Sequence, residues 1–211
     1  MKTEIIRSAT NPDMEITALS GHFATRHCHT THYLDVTRIK HEFTMAREAA
    51  IALARNYASD KKVDTIVCLD GSEVIGAFLA RHLSKEDSLS VNQNKSINVV
   101  TPEYDMNGQL IFRDNLYPMV TGKDVLILIS TVNSGKTARR AIECVRYYGG
   151  RPQCVAAIFS KMGLVAGVPV FGLFTPRDLP DYATYSSQDC PMCKASQRID
   201  ALANSYGLSK L

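Results

Sequence analysis

No run of apolar residues in this 211-residue chain approaches the roughly 18 needed for a membrane-spanning helix, so no membrane partner is expected. Charge of one sign is also scarce. Lys and Arg number 24 and Asp and Glu 21, a net charge of +3. A nucleic-acid binder usually carries a clustered basic face, so no nucleic-acid partner is expected either. Internal repeats and low-complexity tracts are missing. The start, Met1 to Arg7, is charged and lacks the apolar centre of a signal peptide, which points to a cytoplasmic protein. In that compartment and at this length, the six cysteines (28, 68, 144, 154, 190 and 193) do not read as a disulfide framework. Cys68 and Cys154 fall in apolar runs and Cys144 on a helix, the usual places for thiols that act as small hydrophobes. One local absence matters most. No Asp or Glu lies between Val125 and Thr137, so that stretch can hold phosphate but offers no carboxylate to a sugar or a metal.

What is present is an alternation of apolar runs and amphipathic helices. Residues 1–41 read as irregular and His-rich. Phe43, Ala46, Ala49, Ala50, Leu53 and Tyr57 recur at helical spacing and predict a helix over 42–59. Strands are predicted over 63–69, 97–101, 125–129, 153–159 and 168–174, with helices over 73–83 and 136–148, the latter closed by Gly149-Gly150. Residues 84–95 read as a polar connector. Asn107-Gly108 between two β-like runs predicts a hairpin arm. Strands alternating with helices imply right-handed βαβ units and a mainly parallel α/β sheet, buried on both faces because its strands are nearly continuous apolar runs. Ligands of such sheets sit at the carboxyl ends of the strands. The loops there are Asp70–Ser72 and Ser130–Gly135. The expected organisation is a single domain over 1–211: an N-terminal hood over 1–41, a core over 42–176 and a peripheral tail over 177–211.

Val125 to Thr137 runs from a strand through a short polar loop into a helix. That places backbone N–H groups and the positive end of a helix at one spot, a phosphate cradle. Ser130-Thr-Val-Asn-Ser-Gly-Lys-Thr137 nearly matches the P-loop G-x-x-x-x-G-K-[ST], with Ser130 replacing the first Gly. A nucleotide triphosphatase is therefore one reading, and a structural βα turn another.

The same stretch resembles the phosphoribosyl diphosphate (PRPP) loop of type I phosphoribosyltransferases: four apolar residues, two acidic residues, then a Thr/Gly-rich loop ending G-x-T. Gly135 and Thr137 match. Ser130, Thr131, Asn133, Ser134 and Lys136 complete the implied phosphate site, while Ile129 and Ser130 stand where the acidic pair would bind the ribose hydroxyls. Asp70-Gly71-Ser72 and the helix after it resemble the family's pyrophosphate loop, with Asp70 and Glu73 as implied ligands of Mg²⁺. Gly21-His22-Phe23 and Thr30-Thr-His-Tyr33 resemble orotate phosphoribosyltransferases in particular and imply a base pocket containing Phe23, His27, His29 and Tyr33. Cys190-Pro-Met-Cys193-Lys194 resembles an element near the C-terminus of some members of that subfamily. The catalytic loop of those enzymes is rich in Lys and His; the hairpin over 101–115 has one Arg, Arg113, and neither Lys nor His. Arg113 is the one candidate there for stabilising a departing pyrophosphate, and a plain arm in a dimer contact explains the hairpin equally well.

His22, His27, His29 and His32 with Cys28 admit several readings. His27-x-His29 offers two ligands to an ion, and Cys190-x-x-Cys193 would complete a zinc set of four. Contact with a bound base, or solvated loop histidines, accounts for the same residues. Three functions stay open: transfer of ribose 5-phosphate from PRPP to a pyrimidine base with Mg²⁺ in a homodimer, a non-catalytic sensor of PRPP or a nucleotide, and the triphosphatase.

Overall fold

The computed structural model describes residues 2–57, 60–85 and 90–211. The end of the helix predicted over 42–59 and the middle of the 84–95 connector fall outside the described residues.

The chain opens with β1 (Lys2–Arg7), β2 (Glu15–Ala24), β3 (His29–Asp35), α1 (Thr37–His41), α2 (Phe43–Ala54), β4 (Thr65–Cys68), α3 (Glu73–Ser84) and β5 (Asn98–Val100). The hairpin is β6 (Glu103–Tyr104) and β7 (Leu110–Ile111). Then come β8 (Asp124–Val132), α4 (Lys136–Tyr147), β9 (Arg151–Ser160), β10 (Leu164–Val165) and β11 (Val168–Phe174). The tail forms β12 (Thr184–Tyr185), α5 (Pro191–Lys194), β13 (Ala201–Asn204) and β14 (Gly207–Lys210).

One sheet runs β10-β11-β9-β8-β4-β5 and is parallel at every pairing except β10 with β11. Its central strands are apolar at successive positions because both faces are covered. Leu126 and Leu128 of β8 pack in one cluster with Ala50 and Leu53 of α2 and Ile75 and Leu79 of α3. Val125, Ile127 and Ile129, on the opposite face, pack with Ala138, Ala141, Ile142 and Val145 of α4. The two-residue period of the strand thus divides β8 between two helical layers. Cys68 and Cys154 are fully enclosed in the first cluster, and burial pushes both thiols up to about 12. α4 ends as its sequence predicts, with Gly149 and Gly150 donating to the carbonyls of Arg146 and Val145.

The second sheet departs from the sequence reading. Residues 1–41, expected to be irregular, supply β1, β2 and β3, and the tail, expected to be peripheral, supplies β12, β13 and β14. The order is β12-β3-β2-β13-β14, with β1 also on β2. β2 alternates buried and half-buried positions, the pattern of a strand covered on one face. The register of β2 against β3 shifts between Ser20 and Phe23, a bulge at Gly21-His22. The tail closes on this bulge: His22 N–H donates to Asp200 Oδ2 at 2.7 Å, and Asp200 N–H donates to His22 O at 2.8 Å. A Cβ at position 21 would lie 2.7 Å from Asp200 Oδ2, so the approach requires Gly. Among the described residues no helix is long and apolar enough to cross a membrane.

Candidate phosphate-binding site

A cavity of about 320 Å³ opens at the carboxyl ends of β4 and β8, between the parallel sheet, the hairpin and the antiparallel sheet. β8 stays hydrogen-bonded to β9 through Val132, so the turn into α4 is only Asn133-Ser134-Gly135. Gly135 sits at φ +71°, a conformation that L side chains rarely adopt, and a Cβ there would lie 2.9 Å from Met162 Sδ. No side chain caps the first turn of α4. The first-turn N–H groups of a helix have no partner within the helix, which suits them to an anion. Tyr182 Oη donates to Asn133 Oδ1 at 2.8 Å and ties the turn to the tail.

Three cations converge here. Arg26, Lys136 and Arg140 line the cavity, and all three surround His27, whose pKa is lowered first by burial and then by these charges. Asp70 is the one carboxylate among the lining residues. Burial raises its pKa, against a hydrogen bond from the Ser205 side chain and the nearby charge of Lys40. The buried Lys40 ammonium donates to Asp70 O at 2.9 Å and to Ser205 O at 2.6 Å. Its own pKa is lowered by burial, with Asp70 the largest opposing charge. The cavity is thus lined by three cations and one acid that lies beside the Lys40 ammonium, a match for an anionic ligand.

Many of the predicted residues meet here: Ser130, Thr131, Asn133, Ser134, Gly135, Lys136, Thr137, Asp70, His27 and Tyr33 all line the cavity. Others do not. Phe23 is fully buried in the antiparallel sheet rather than lining the cavity. His29 turns toward His22, 2.9 Å from Nδ1 to Nε2. Gly71 and Ser72 lie behind the cavity wall, with Ser72 Oγ donating to Leu128 O at 3.2 Å. Glu73 does not line the cavity; its carboxylate accepts from Thr101 Oγ1 at 3.0 Å, and its charge acts on Asp70 and Lys40. Arg113 lies outside the cavity, its guanidinium bound to Glu103 at 2.7 and 3.0 Å across the hairpin. Mg²⁺ takes octahedral oxygen ligands and is usually held by one or two carboxylates together with ligand phosphates. Of the two carboxylates expected to hold Mg²⁺, Asp70 lines the cavity, engaged by Ser205 beside the Lys40 ammonium, and Glu73 stands outside the lining, close enough for its charge to act on Asp70.

Several lining residues escaped the sequence reading: Arg26, Tyr104, Arg140, Tyr182, Ser205 and Tyr206. Arg140 was accessible, since it lies one helical turn beyond Lys136 on the same face. The tail residues carried no signal, because their place depends on pairing with β2 and β3.

No family model matches the chain. Among curated relatives, the orotate phosphoribosyltransferase of Thermotoga petrophila is 26% identical over 183 residues, covering 83% of this chain and 86% of that enzyme. The transcriptional regulator GfcR of Haloferax volcanii is 41% identical over 64 residues, 29% of this chain and 30% of that protein. Among solved structures, Mycobacterium tuberculosis orotate phosphoribosyltransferase in complex with PRPP superposes with a TM-score of 0.51 at 16% identity, covering 70% of this chain and 82% of that one. The chain is related to the type I phosphoribosyltransferases. Its α/β architecture, with the phosphate-type turn at the carboxyl end of β8, is the fold of that family. Relative to the family pattern, the phosphoribosyltransferase-like chain keeps the turn and replaces the acidic pair. Ile129 is buried in the core and Ser130 Oγ donates to Asp70 O at 3.4 Å.

Proposed function

We propose that the cavity binds a 5-phosphorylated ribose, as PRPP or a nucleoside monophosphate, and that the chain senses this ligand rather than efficiently transferring the phosphoribosyl group. The observation that carries the reading is one cavity in which Arg26, Lys136 and Arg140 converge on an uncapped strand-to-helix turn, while positions 129 and 130 hold Ile and Ser. The phosphate sits on Asn133 to Thr137, and Tyr33 and His27 face the base. Transfer has two further requirements. Carboxylates must hold the ribose hydroxyls as positive charge develops on the sugar, and cations must meet the departing pyrophosphate. Each missing charge-assisted hydrogen bond is worth about 1.5–3 kcal/mol, so losing two lowers the rate by roughly 10²- to 10⁴-fold. Arg113, engaged with Glu103, does not make up the deficit. The partial match to a transcriptional regulator supports a regulatory use.

A second reading is the reaction of the enzyme relatives, joining PRPP and orotate with release of pyrophosphate in a cytoplasmic homodimer. The match over 83% of the chain to an orotate phosphoribosyltransferase favours it. Titration calorimetry with PRPP, orotidine monophosphate and uridine monophosphate, with and without Mg²⁺, separates the two when run beside a pyrophosphate-release assay. The sensor predicts binding that persists without Mg²⁺ and no release. Release at an ordinary enzymatic rate, about 1 s⁻¹ or faster, would overturn the sensor. Absence of binding by every phosphoribosyl ligand would overturn both readings. Binding of ATP that is lost in Lys136→Ala would instead select the triphosphatase.

A further inference from the structure

Away from the cavity, the bulge of β2, the first residue of β3 and the short helix α5 bring four ligating side chains to one point. His22, His29, Cys190 and Cys193 each direct one ligand atom there, and the four atoms lie within 4.8 Å of one another. His22 Nε2 is 2.9 Å from His29 Nδ1 and 3.6 Å from both sulfurs, and Cys193 Sγ is 3.3 Å from His29 Nδ1. Around tetrahedral zinc, with Zn–S near 2.3 Å and Zn–N near 2.0 Å, ligand atoms stand about 3.3–3.8 Å apart. Three of the four spacings fall in that range, and the His22–His29 spacing is a few tenths of an ångström shorter.

We propose that these four residues form a structural zinc site. The surroundings fit the assignment. His22 Nδ1 lies 3.0 Å from the carbonyl oxygen of Gln197. A carbonyl only accepts, so Nδ1 carries the proton and Nε2 turns its lone pair to the centre of the cluster. This is the outer hydrogen bond typical of a metal-bound histidine. The Pro191 turn and the three-residue spacing on α5 bring both sulfurs to the same side. Two thiolates and two neutral imidazoles balance the charge of Zn²⁺, which suits a centre where His22 and Cys190 are fully buried. Four protein ligands close the tetrahedron and leave no position for substrate, so the site is structural rather than catalytic. The sequence alone pairs the cysteines with His27 and His29; in the fold His27 faces the cavity and His22 takes its place.

The position of the site gives it a task. It joins residues 22 and 193 just before the tail pairs with β2 and carries Asn204, Ser205 and Tyr206 to the cavity wall. Zinc there clamps the two chain ends that close the ligand site. This assignment stands independently of the proposed ligand.

The test is metal analysis of the full chain, produced without a histidine tag and equilibrated with Zn²⁺, then freed of loose metal by gel filtration. The expected result is about one zinc per chain. Cobalt substitution should give the intense visible bands of a tetrahedral site together with sulfur-to-metal charge transfer. Cys193→Ser, at an exposed position, should weaken zinc binding by about 100-fold or more, while Cys28→Ser should leave it intact. A strong chelator should lower the melting temperature of the wild type and not that of Cys193→Ser. The proposal is overturned by a metal-free chain after equilibration, by an octahedral cobalt spectrum, by a Cys190–Cys193 disulfide in freshly isolated protein, or by equal zinc binding in Cys193→Ser and wild type. Should Cys193→Ser fold poorly, the stoichiometry and cobalt spectrum of the wild type decide alone.

Discussion

In the parallel sheet, β4, β8 and β9 are buried on both faces; β4 reaches its partner β5 through α3, and β8 reaches its partner β9 through α4. In the antiparallel sheet, β2 is paired with β13 from the far end of the chain, and single polar contacts set the fit: Asp200 on His22, Tyr182 on Asn133, the Lys40 ammonium on Ser205. The first sheet is held by area, which is non-directional and additive; the second buries Ile16, Ala18 and Leu34 in the same core and adds geometry at a few polar atoms. The cavity lies where the two meet. The parallel sheet supplies the turn from β8 into α4, and the antiparallel sheet with its tail supplies the wall that closes the cavity.

Substitutions can break this contrast, beginning with the largest effect. Leu128→Ala removes a fully buried side chain between α2, α3 and the sheet and should cost about 2–5 kcal/mol, read by chemical denaturation. A loss under 1 kcal/mol would mean that the parallel sheet is not the main source of stability. Asp200→Ala removes the carboxylate that receives His22 N–H and should cost about 2 kcal/mol. It should also speed proteolysis of the tail before the core is cut; simultaneous cleavage would merge the two regions into one cooperative unit.

Lys136→Ala sharpens the contrast from the other side. It should weaken binding of a phosphoribosyl ligand about tenfold, the worth of one charge-assisted hydrogen bond, while leaving the melting temperature in place. His32 tests the antiparallel sheet by pH. Its pKa is lowered by burial in spite of Glu4 and Asp181. The unfolded chain therefore takes up the proton first, and stability should fall as pH drops below about 6.5. His32→Gln should flatten that acid limb in a series of melts. Arg113→Ala should have the smallest effect. Its guanidinium is exposed and paired only with Glu103, so ligand affinity and melting temperature should both stay unchanged. A large loss of affinity would restore the hairpin arginine to the site.

The sequence reading succeeded where local physics is sufficient. The strand over 168–174 coincides with β11, and the helix predicted over 136–148 coincides with α4 to within one residue. In both, the apolar period, the glycine punctuation and the burial agree. The turn Asn133-Ser134-Gly135 was legible for the same reason, since its residues are contiguous and its geometry is set by β8 and α4. Residues 1–41 misled because His, Thr and Ser interrupt the alternation of β2 and β3, so the period of two is visible only once one face is known to be covered. The tail misled because its strands are four residues or fewer, and β12 and β13 gain their order from partners in β3 and β2 near the start of the chain.

By itself the sequence determined the parallel α/β core, the short turn from β8 into α4 and the absence of any acidic residue between Val125 and Thr137. Each depends on neighbours in the chain, and hydrophobic periodicity and turn chemistry encode such neighbours directly. Only the tertiary structure decided that Arg26 joins Lys136 and Arg140, that Arg113 stays outside, that the tail walls the cavity, and that His22 rather than His27 stands beside Cys190 and Cys193. The choice of His22 turns on a one-residue bulge in β2. A shift of one position moves a strand's side chains to the opposite face, and no local pattern in the sequence records which face is chosen.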